Sequence, residues 1–453
     1  MKRHSIVVRL GAAEKTKAAV ADKGSHVSSL SVISADKRLD HGLGQILDQL
    51  TDRGMYPGEV AIDLGVLATT VTAADTRISR QGDAQDSWTR EIDLYLPVSD
   101  VDIWTGNVEL IERILQFLTG DLWRVYFRPR PKGMEALLKR PPALVGTALD
   151  SVCLFSGGLD SFTGAIDLLE NGKNPVFVSH YKDASTKSQE VCAAALSKHY
   201  GDFGPRHVRA NVSFDKNDLP GLGTETTTRG RSFIFFALAA LAADSIDGTT
   251  PFYIPENGLI SLNVPLDQLR LGALSTRTTH PFYIDRWQEL LDNLGIDARL
   301  QNPYRFNTKG EMLSRCANAA FLCKNYDITV SCSSITKGRW KGLSPGHCGY
   351  CTPCLIRRAS IKAAFAKDTT QYSMPDLHAQ PLNGREAESV DVRSFQMMHR
   401  RLLKKPELAS VLIHKTGPLA DYSASEIADY AAVFKRGIEE VGALVEKVRI
   451  SKP

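Results

Sequence analysis

Two adjacent glycines between a strand and a helix limit what this chain can fold into more than any other feature. The run VCLF (152–155) is short and apolar, as buried strands are, and SFTGAIDLLENG (161–172) repeats apolar residues at helical spacing before a terminal glycine. PVFVSH (175–180) has the pattern of the next strand. A strand, a helix and a strand in this order predict a parallel α/β sheet, in which ligands bind at the carboxyl ends of the strands.

The turn SGGLDS (156–161) has the composition of an anion-binding loop. Gly157–Gly158 leave backbone N–H groups accessible, and the following helix N-terminus adds partial positive charge, so together they suit phosphate oxygens. Ser156 and Ser161 can donate hydroxyl hydrogen bonds. Asp160 beside a polyanion is expected either to orient the loop or to bind a Mg²⁺ ion that bridges phosphates. The lysine of a Walker A loop and the GxGxxG spacing are both missing.

The 453 residues divide into three zones, which is a plausible number of domains for this length. Residues 1–145 mix alternating and helical stretches and predict an α+β domain without a recognisable chemical motif. RPRPKG (128–133) is typical of a linker. Residues 148–375 alternate short apolar runs with helical patterns, and 376–453 predict a mostly helical C-terminal extension.

The charge and hydropathy patterns exclude some partners and leave one open. No apolar run approaches the length needed to cross a bilayer, and the basic N-terminus lacks the apolar core of a secretory signal, so we expect a cytoplasmic protein without membrane contact. The net charge is only +4. The basic stretch at 127–142 is interpreted as a solvated linker, while nucleic-acid contact stays open without being indicated.

Four of the eight cysteines are spaced as metal ligands. Cys348, Cys351 and Cys354 form a CxxCxxC pattern, and Cys332 precedes them. In a cytosolic chain this pattern favours a metal over disulfides, and four thiolates make a closed, structural zinc site. An iron–sulfur cluster and a set of unrelated reduced cysteines are the alternatives.

The glycine turn also resembles a known signature. SGGLDS is similar to the signature of the PP-loop ATP pyrophosphatase superfamily, whose HUP-like fold is a parallel sheet with helices on both faces. The resemblance implies that ATP is split to AMP and pyrophosphate as a carboxylate or a nucleobase carbonyl is adenylated. The ATP-binding residues that it implies are Phe155, Ser156, Gly157, Gly158, Leu159, Asp160, Ser161, His180, Tyr181 and Arg231.

Together, the turn and the cysteine cluster resemble the QueC family of 7-cyano-7-deazaguanine synthases over about residues 150–365. The stretches TTRGRSFIFFALAA (227–240), NTKGEML (307–313) and HCGYCTPCLIRR (347–358) are similar to segments of that family. In QueC the zinc is structural. The enzyme activates 7-carboxy-7-deazaguanine with ATP, after which ammonia gives an amide and finally a nitrile.

The chain departs from QueC in length and in one stretch. QueC proteins are roughly half as long, and LSTRTTHPFYI (274–284) stands where a Tyr-Pro-Asp-Cys-Arg stretch is expected. In both respects the chain resembles the larger QueC-like proteins of bacterial anti-phage operons, above all the QatC proteins of the Qat system. This resemblance implies a 7-deazaguanine carboxylate as substrate and, in place of ammonia, the amino terminus of a partner protein from the same operon. QueC relatives also suggest a homodimer.

Two polar stretches and one lysine supply candidates for binding the substrate and for catalysis. The residues are Glu256, Asn257, Asn263, Arg277, Thr278, His280 and Lys309. Glu256 is suited to accept hydrogen bonds from the guanine-like edge, with Asn257, Asn263 and Thr278 beside it, and Arg277 to pair with the carboxylate and the acyl-adenylate. His280 or a neighbouring acid would take the proton of the attacking amine. Lys309 is placed to approach the phosphates. The alternative is that all of these are loop, cap and turn residues.

Three other functions compete with amide formation on a partner protein. The first is an ammonia-using 7-cyano-7-deazaguanine synthase. The second is a tRNA-modifying PP-loop enzyme, which needs a basic tRNA-binding face. The third is a non-catalytic nucleotide-binding scaffold of a defence complex, against which the intact SGGLDS argues.

Overall fold

Two parallel β-sheets with helices around them form most of the described structure. The computed structural model describes residues 2–11, 14, 19–84, 86–141, 148–181, 185–201, 203–227, 229–267, 277–333, 335 and 346–451. The predicted boundary at 145–148 falls largely on residues outside this set, as do residues 274–276 of the stretch that departs from QueC. None of the described helices is long and apolar enough to span a membrane.

The first sheet has four strands in the order β2-β1-β3-β4. Its elements are β1 (Arg3–Arg9), β2 (His26–Ser31), α1 (Leu43–Thr51), α2 (Glu59–Arg77), α3 (Arg80–Asp83), β3 (Glu91–Val98), α4 (Val101–Gly106), α5 (Val108–Thr119) and β4 (Leu122–Pro129). All three strand pairings are parallel, so the prediction of an α+β domain is corrected to α/β. Within this sheet, Asp93 of β3 is buried and accepts hydrogen bonds from Arg124.

The second sheet has five parallel strands in the order β7-β6-β5-β8-β9. Its elements are β5 (Ser151–Leu154), α6 (Leu159–Glu170), β6 (Pro175–His180), α7 (Ser185–Tyr200), β7 (His207–Ala210), α8 (Arg231–Ala243), β8 (Thr250–Tyr253), α9 (Gly258–Leu262), α10 (Pro281–Asn293) and β9 (Ala298–Gln301). The chain adds β6 and β7 on one side of β5 and then crosses to the other side. The glycine turn therefore follows the central strand, next to the point where the strand order reverses and ligands bind.

Helices cover both faces of the second sheet, as predicted. Along β5, Val152 belongs to the core that includes α8 and α10, whereas Cys153 belongs to the core that includes α6 and α7. Successive strand residues point to opposite faces, so this division places helices on both sides. Helix α6 begins at Leu159, two residues before the predicted start, and this brings Asp160 into its first turn.

The remaining described elements are mainly helical. They are α11 (Lys309–Ser314), α12 (Ala319–Asn325), α13 (Thr352–Phe365), β10 (Leu382–Asn383), α14 (Ala387–Lys404), α15 (Leu408–Leu412), α16 (Ala424–Val445) and β11 (Ile450–Ser451). Strands β10 and β11 form a short parallel ladder that ties together the two ends of the predicted extension. A separate hydrophobic core joins α14, α15 and α16 to α9 and α13, so the extension packs directly on the α/β region.

The first sheet and the second sheet are joined by one continuous hydrophobic core. Helix α2 is buried around nearly its whole circumference because it packs against the first sheet on one side and α8 on the other. Helix α1 covers the edge of β7, where the Gln49 side chain accepts from the Arg209 backbone N–H at 2.9 Å and donates to the Arg209 carbonyl at 2.6 Å. The side chain thus pairs with the strand edge as a further strand would.

Candidate active site

The backbone conformation of the glycine turn requires a glycine at position 157. Gly157 has a φ of +74°, and a Cβ there would lie 2.8 Å from the Gln189 backbone nitrogen of α7. Ser156 and Ser161 close the turn internally. The Ser156 N–H donates to Ser161 Oγ at 3.2 Å, and Ser161 Oγ donates to the Gly158 carbonyl at 3.0 Å. The conformation is therefore set by the turn's own residues and by α7.

A segment from much later in the chain holds the turn from the other side. The Val330 N–H donates to the Gly157 carbonyl at 3.1 Å, and the Leu159 N–H donates to Ser331 Oγ at 3.3 Å. Residues 330–331 lead directly into Cys332. The cysteine cluster is thereby placed beside the glycine turn.

A cavity of about 400 Å³ opens at this turn. Its described lining consists of Ser156, Gly158, Leu159, Asp160, Ser161, Pro255, Glu256, Ile260, Asn263, Lys309, Val330, Ser331, Cys332, Ser333, Thr352, Pro353 and Asp391. The cavity brings together four residues that were selected from separate parts of the sequence, namely Asp160, Glu256, Asn263 and Lys309. Its position at the carboxyl ends of the central strands is the usual place for a ligand in an open α/β sheet.

Asp160 is the centre of a buried polar network on one wall of the cavity. Its Oδ1 lies 2.9 Å from Lys309 Nζ, and both side chains are less than a tenth exposed. Asn257 Nδ2 donates to Asp160 Oδ2 at 2.7 Å and also lies 3.1 Å from Glu256 Oε1. Asn257 thus supports the carboxylate from behind without itself lining the cavity.

The pKa values of the two carboxyl groups in this network shift in opposite directions. Burial by itself would raise the pKa of Asp160, but the charge of Lys309 and the hydrogen bond from Glu256 outweigh it and lower that pKa to about 2. Burial and the neighbouring Asp160 raise the pKa of Glu256 well above its usual range. The pair therefore holds one proton, on Glu256, and one negative charge, which Lys309 balances.

Four cysteine sulfurs meet at the rim of the cavity. All four, from Cys332, Cys348, Cys351 and Cys354, lie within 4.8 Å of one another. Cys332 Sγ is 3.8 Å from Cys351 Sγ, and Cys348 Sγ is 3.8 Å from Cys354 Sγ. Four sulfurs about 2.3 Å from one zinc ion would be about 3.8 Å apart at the corners of a tetrahedron. The cluster could hold zinc, and its short distances favour a single ion over a cluster of several iron atoms.

The described residues do not form a magnesium site of their own. The four cysteines are the one group of three or more His, Cys, Asp or Glu side chains in the described ranges that is arranged to hold a metal. Asp160, the predicted Mg²⁺ ligand, already faces the ammonium group of Lys309. Magnesium therefore stays a prediction and would have to be held largely by phosphate oxygens.

Phe155, His180, Tyr181 and Arg231, which were also predicted to bind ATP, are not among the described residues that line this cavity. Phe155 is buried and packs edge-on against Phe177. His180 is at the carboxyl end of β6, where its Nε2 accepts from the Val212 N–H at 3.1 Å.

The centre of the His180 ring lies 5.4 Å from the centre of the Phe235 ring. The guanidinium carbon of Arg231 lies 5.3 Å from the same Phe235 ring centre. Tyr181 lies under Arg209, with the guanidinium carbon 4.9 Å from the ring centre. His180 and Arg231 therefore meet on one ring, at the carboxyl end of the strand next to β5.

Arg277, Thr278 and His280 are not among the described residues that line this cavity, and their predicted roles stay predictions. Arg277 donates to the Phe117 carbonyl at 2.9 Å and covers the Phe117 ring at 4.8 Å. His280 caps α10 by accepting from the Phe282 N–H at 3.2 Å. Burial, assisted by the Arg277 charge, lowers the pKa of His280 to about 3. Both side chains are thus engaged with α5 and the start of α10.

Several lining residues could not be found from the sequence. Ser331, Ser333 and Thr352 flank metal ligands, and that proximity was the one available signal for them. Asp391 comes from α14 of the C-terminal extension and accepts from the Thr352 N–H at 2.7 Å. Nothing in its surrounding sequence sets it apart from the other charged residues of a surface helix.

Taken together, the doubly wound parallel sheet, the glycine turn after its central strand and the four-cysteine cluster define an α/β protein with a polar ligand cavity at the strand ends. No protein-family model matches the chain. Over about half of its length, the chain is similar to curated proteins that carry the name 7-cyano-7-deazaguanine synthase.

Three of these relatives illustrate the similarity. The Picrophilus torridus protein is 26% identical over 239 residues, which cover 49% of this chain and 91% of the relative. The Cupriavidus necator protein is 28% identical over 249 residues, covering 49% and 96%. The Methanoregula boonei protein is 25% identical over 239 residues, covering 49% and 99%. The similarity supports a QueC-like enzyme and leaves half of the chain without a counterpart in these relatives.

Proposed function

We propose that this protein uses ATP to activate a 7-deazaguanine carboxylate and then joins the acyl group to an amine. The observation that carries the proposal is the cavity in which the glycine turn meets Asp160, Glu256 and Lys309. The name shared by the relatives supplies the class of substrate.

The chemistry proceeds in two balanced steps. A carboxylate oxygen of the substrate attacks the α-phosphorus of ATP, the bond from that phosphorus to the oxygen bridging the α- and β-phosphates breaks, and pyrophosphate leaves. The acceptor nitrogen then attacks the acyl carbon, the bond from that carbon to the AMP oxygen breaks, and the nitrogen loses a proton. The products are an amide, AMP and pyrophosphate.

Each of the clustered side chains has a role in this scheme. The turn residues Ser156, Gly158 and Ser161 would hold the phosphates, and Lys309 would stabilise the charge that develops in the transition state. The Asp160–Glu256 pair would hold Lys309 in place, and the proton released from the nitrogen would pass to solvent water, because the lowered pKa of Asp160 makes it a weak base and Glu256 already carries a proton. Asn263 would assist in binding the base, and Asn257 would hold the Asp160 carboxylate in place. The four cysteines would hold zinc as a structural ion, and Mg²⁺ would accompany the ATP.

We further propose that the acceptor is the amino terminus of a partner protein in bacterial anti-phage defence, as the resemblance to QatC proteins implies. About half of the chain has no counterpart in the relatives, and the first sheet and the C-terminal helices, which lie outside the stretch that resembles QueC, would supply surface for such a partner. These regions pack on the α/β region and contribute Asp391 to the cavity wall.

Two measurements test the proposal. Exchange of labelled pyrophosphate into ATP should depend on 7-carboxy-7-deazaguanine and should be lost in Asp160→Asn. The intact mass of a partner protein encoded in the same operon should increase by one deazaguanine acyl group when it is co-expressed with the wild type and not with Asp160→Asn. Exchange that is absent, or that does not need the acid, would exclude the activation step.

The second candidate is synthesis of a nitrile from ammonia, which the name of the relatives favours. The same reaction with ammonium chloride in place of a partner protein separates the two functions. Release of free 7-cyano-7-deazaguanine at half the rate of pyrophosphate formation would favour the synthase, because the amide and the nitrile each require one activation by ATP. An adduct that forms on the partner in the presence of ammonia would favour protein modification.

A further inference from the structure

We propose that helix α16 of the C-terminal extension contributes to the active site through Glu440. Glu440 is a positioning residue that holds Lys309 against Asp160. The inference rests on the proposed function, because it assigns Lys309 to the reaction. It gives a role to a region for which neither the relatives nor the sequence pattern supplied one.

Glu440 binds the chain on both sides of Lys309. Its Oε2 accepts a hydrogen bond from Thr308 Oγ1 at 2.7 Å, and its Oε1 accepts one from the Gly310 N–H at 3.2 Å. Thr308 is also the N-cap of α11 and forms a capping box with Glu311. Lys309, between these two anchored residues, has little freedom to move its backbone.

Gly310 allows this approach for a steric reason. A Cβ at position 310 would lie 2.4 Å from Glu440 Oε2 and 2.9 Å from the Glu440 carboxyl carbon. The φ of Gly310 is not in the left-handed region, so its backbone conformation does not demand glycine. Alanine is the better helix former, and a glycine in a helix costs up to about 1 kcal/mol relative to it. The absence of a side chain at Gly310 therefore leaves room for the Glu440 carboxylate to accept a hydrogen bond from the backbone.

Helix α16 is itself tied to both elements that carry the polar network. Arg436 donates to both carboxylate oxygens of Glu311 at 2.7 and 3.1 Å, and to the Phe306 carbonyl at 2.8 Å. The next residue, Gly437, packs so closely on α9 that a Cβ there would lie 2.9 Å from Leu259 Cδ2. Helix α9 follows Glu256 and Asn257, so α16 holds the acid-bearing and the lysine-bearing segments together.

The position of Lys309 matters because its ion pair is short and buried, at 2.9 Å from Asp160 Oδ1. Misplacement of a reacting group by about 1 Å can lower a rate by about 100-fold. A loss of Glu440 would let the start of α11 move and would weaken this alignment. The hydrogen bonds that Ser156, Gly157 and Ser161 make in the glycine turn do not involve Glu440 and should persist.

The test compares four variants of the full-length protein. Glu440→Ala removes both hydrogen bonds, and Gly310→Ala displaces the carboxylate while favouring the helix. Glu440→Gln keeps an oxygen for the Gly310 N–H and an amide for Thr308 Oγ1. Glu439→Ala is the matched control, because Glu439 is partly exposed on the same helix and pairs only loosely with Lys435 at 3.8 Å.

Two readouts are followed, namely amide hydrogen exchange over residues 305–315 and the kinetics of substrate-dependent pyrophosphate exchange. Glu440→Ala and Gly310→Ala should each speed hydrogen exchange of the backbone amide at position 310 by about tenfold or more. Both should lower kcat by about 10- to 100-fold and leave KM for ATP within about threefold of the wild type. Glu440→Gln and Glu439→Ala should stay within about threefold of the wild type in both readouts.

The outcomes separate this inference from the proposed function. The inference would be overturned if Glu440→Ala left the rate of amide hydrogen exchange over residues 305–315 at its wild-type value. It would also be overturned if kcat in Glu440→Gln were as low as in Glu440→Ala. A wild type that shows no pyrophosphate exchange would overturn the proposed function, and the hydrogen-exchange comparison would still decide whether Glu440 anchors α11. If Glu440→Ala does not fold, Gly310→Ala carries the test alone.

Discussion

At position 160 a buried carboxylate meets a buried ammonium group, and each depends on the other. Asp160 and Lys309 are 6% and 5% exposed, so either charge alone would have to be carried with little help from water. Asn257 and Glu256 satisfy the remaining sites of the carboxylate. Removal of one of these residues should therefore lower the free energy of unfolding by more than the ion pair contributes to it.

We expect Asp160→Asn and Lys309→Met each to lower the free energy of unfolding by about 3–5 kcal/mol, because each leaves the other charge buried without its partner. In the double variant no unpaired charge is left. Its loss should therefore be smaller than the sum of the single losses by about 1–3 kcal/mol. Urea unfolding of the four proteins measures this coupling, and additive losses would contradict the pairing.

His280 predicts an acid-dependent loss of stability that is unrelated to catalysis. Its pKa in the folded protein is lowered to about 3 by burial, below the ordinary 6.5. Below about pH 6.5 the unfolded chain therefore binds a proton that the folded chain does not. Stability should fall as the pH falls from 6.5 towards 3, by up to about 1.4 kcal/mol per pH unit.

His280→Asn should remove this dependence and keep the helix cap, since asparagine is a good N-cap residue. Between pH 6.5 and 5, the variant should lose about 2 kcal/mol less than the wild type in urea unfolding. His207, whose pKa is also lowered to about 3 by burial, contributes equally to both proteins. Parallel stability curves over this range would show that His280 is not held neutral.

At the scale of elements, the cysteine cluster joins the segment that supports the glycine turn to the start of α13, beside the hydrogen bonds that link Thr329 to Arg357 and Ser331 to His347. Cys332 ends the segment that supports the glycine turn, and α13 begins at Thr352, directly after Cys351. A metal bound here would fasten the turn to α13, and through Asp391 to α14. The cluster thus links the predicted zinc module to the cavity wall.

The purified protein should contain one zinc ion per chain, which metal analysis by mass spectrometry can measure. Cys348→Ser should lower zinc affinity by more than about 100-fold, because the loss of a ligand outweighs the loss of a hydrogen bond that only orients one. Cys323→Ser is the control, since Cys323 is exposed and lies outside the cluster. Equal zinc content in both variants would contradict the assignment.

For the molecule as a whole, the shared core makes the first sheet and the second sheet depend on each other. Removal of residues 1–147 would expose the face of α8 that packs on α2, together with the edge of β7 that Gln49 covers. A contiguous apolar surface of several hundred Å² on a monomer generally leads to association. The α/β region by itself is therefore expected to aggregate.

We expect a chain of residues 148–453 to elute as large aggregates in size-exclusion chromatography and to bind a hydrophobic dye, while the full chain does neither. Co-expression with residues 1–147 as a separate chain should restore a soluble species, because the missing face is supplied. A monomeric, dye-free truncated protein would show that the two sheets are independent units. It would thereby support the boundary that was predicted from the sequence.

Local patterns in the sequence predicted local structure well. The strand, turn and helix at 151–170 are present with shifts of one or two residues, and the cysteines at 332, 348, 351 and 354 meet as expected. Contacts between distant residues leave no such local signal. Arg277 and His280 have suitable chemistry but face α5, whereas Asp391 and Glu440 looked like ordinary helix residues.

The sequence by itself determined the glycine turn and the metal-ligand spacing, because both depend on backbone freedom and on residues a few positions apart. Only the tertiary structure decided that the first sheet is parallel, which side chains line the cavity and how the C-terminal helix holds Lys309. Those features depend on where the chain crosses itself. Contacts such as Asp160 with Lys309, or Glu440 with Gly310, join residues more than a hundred positions apart, and no local pattern records them.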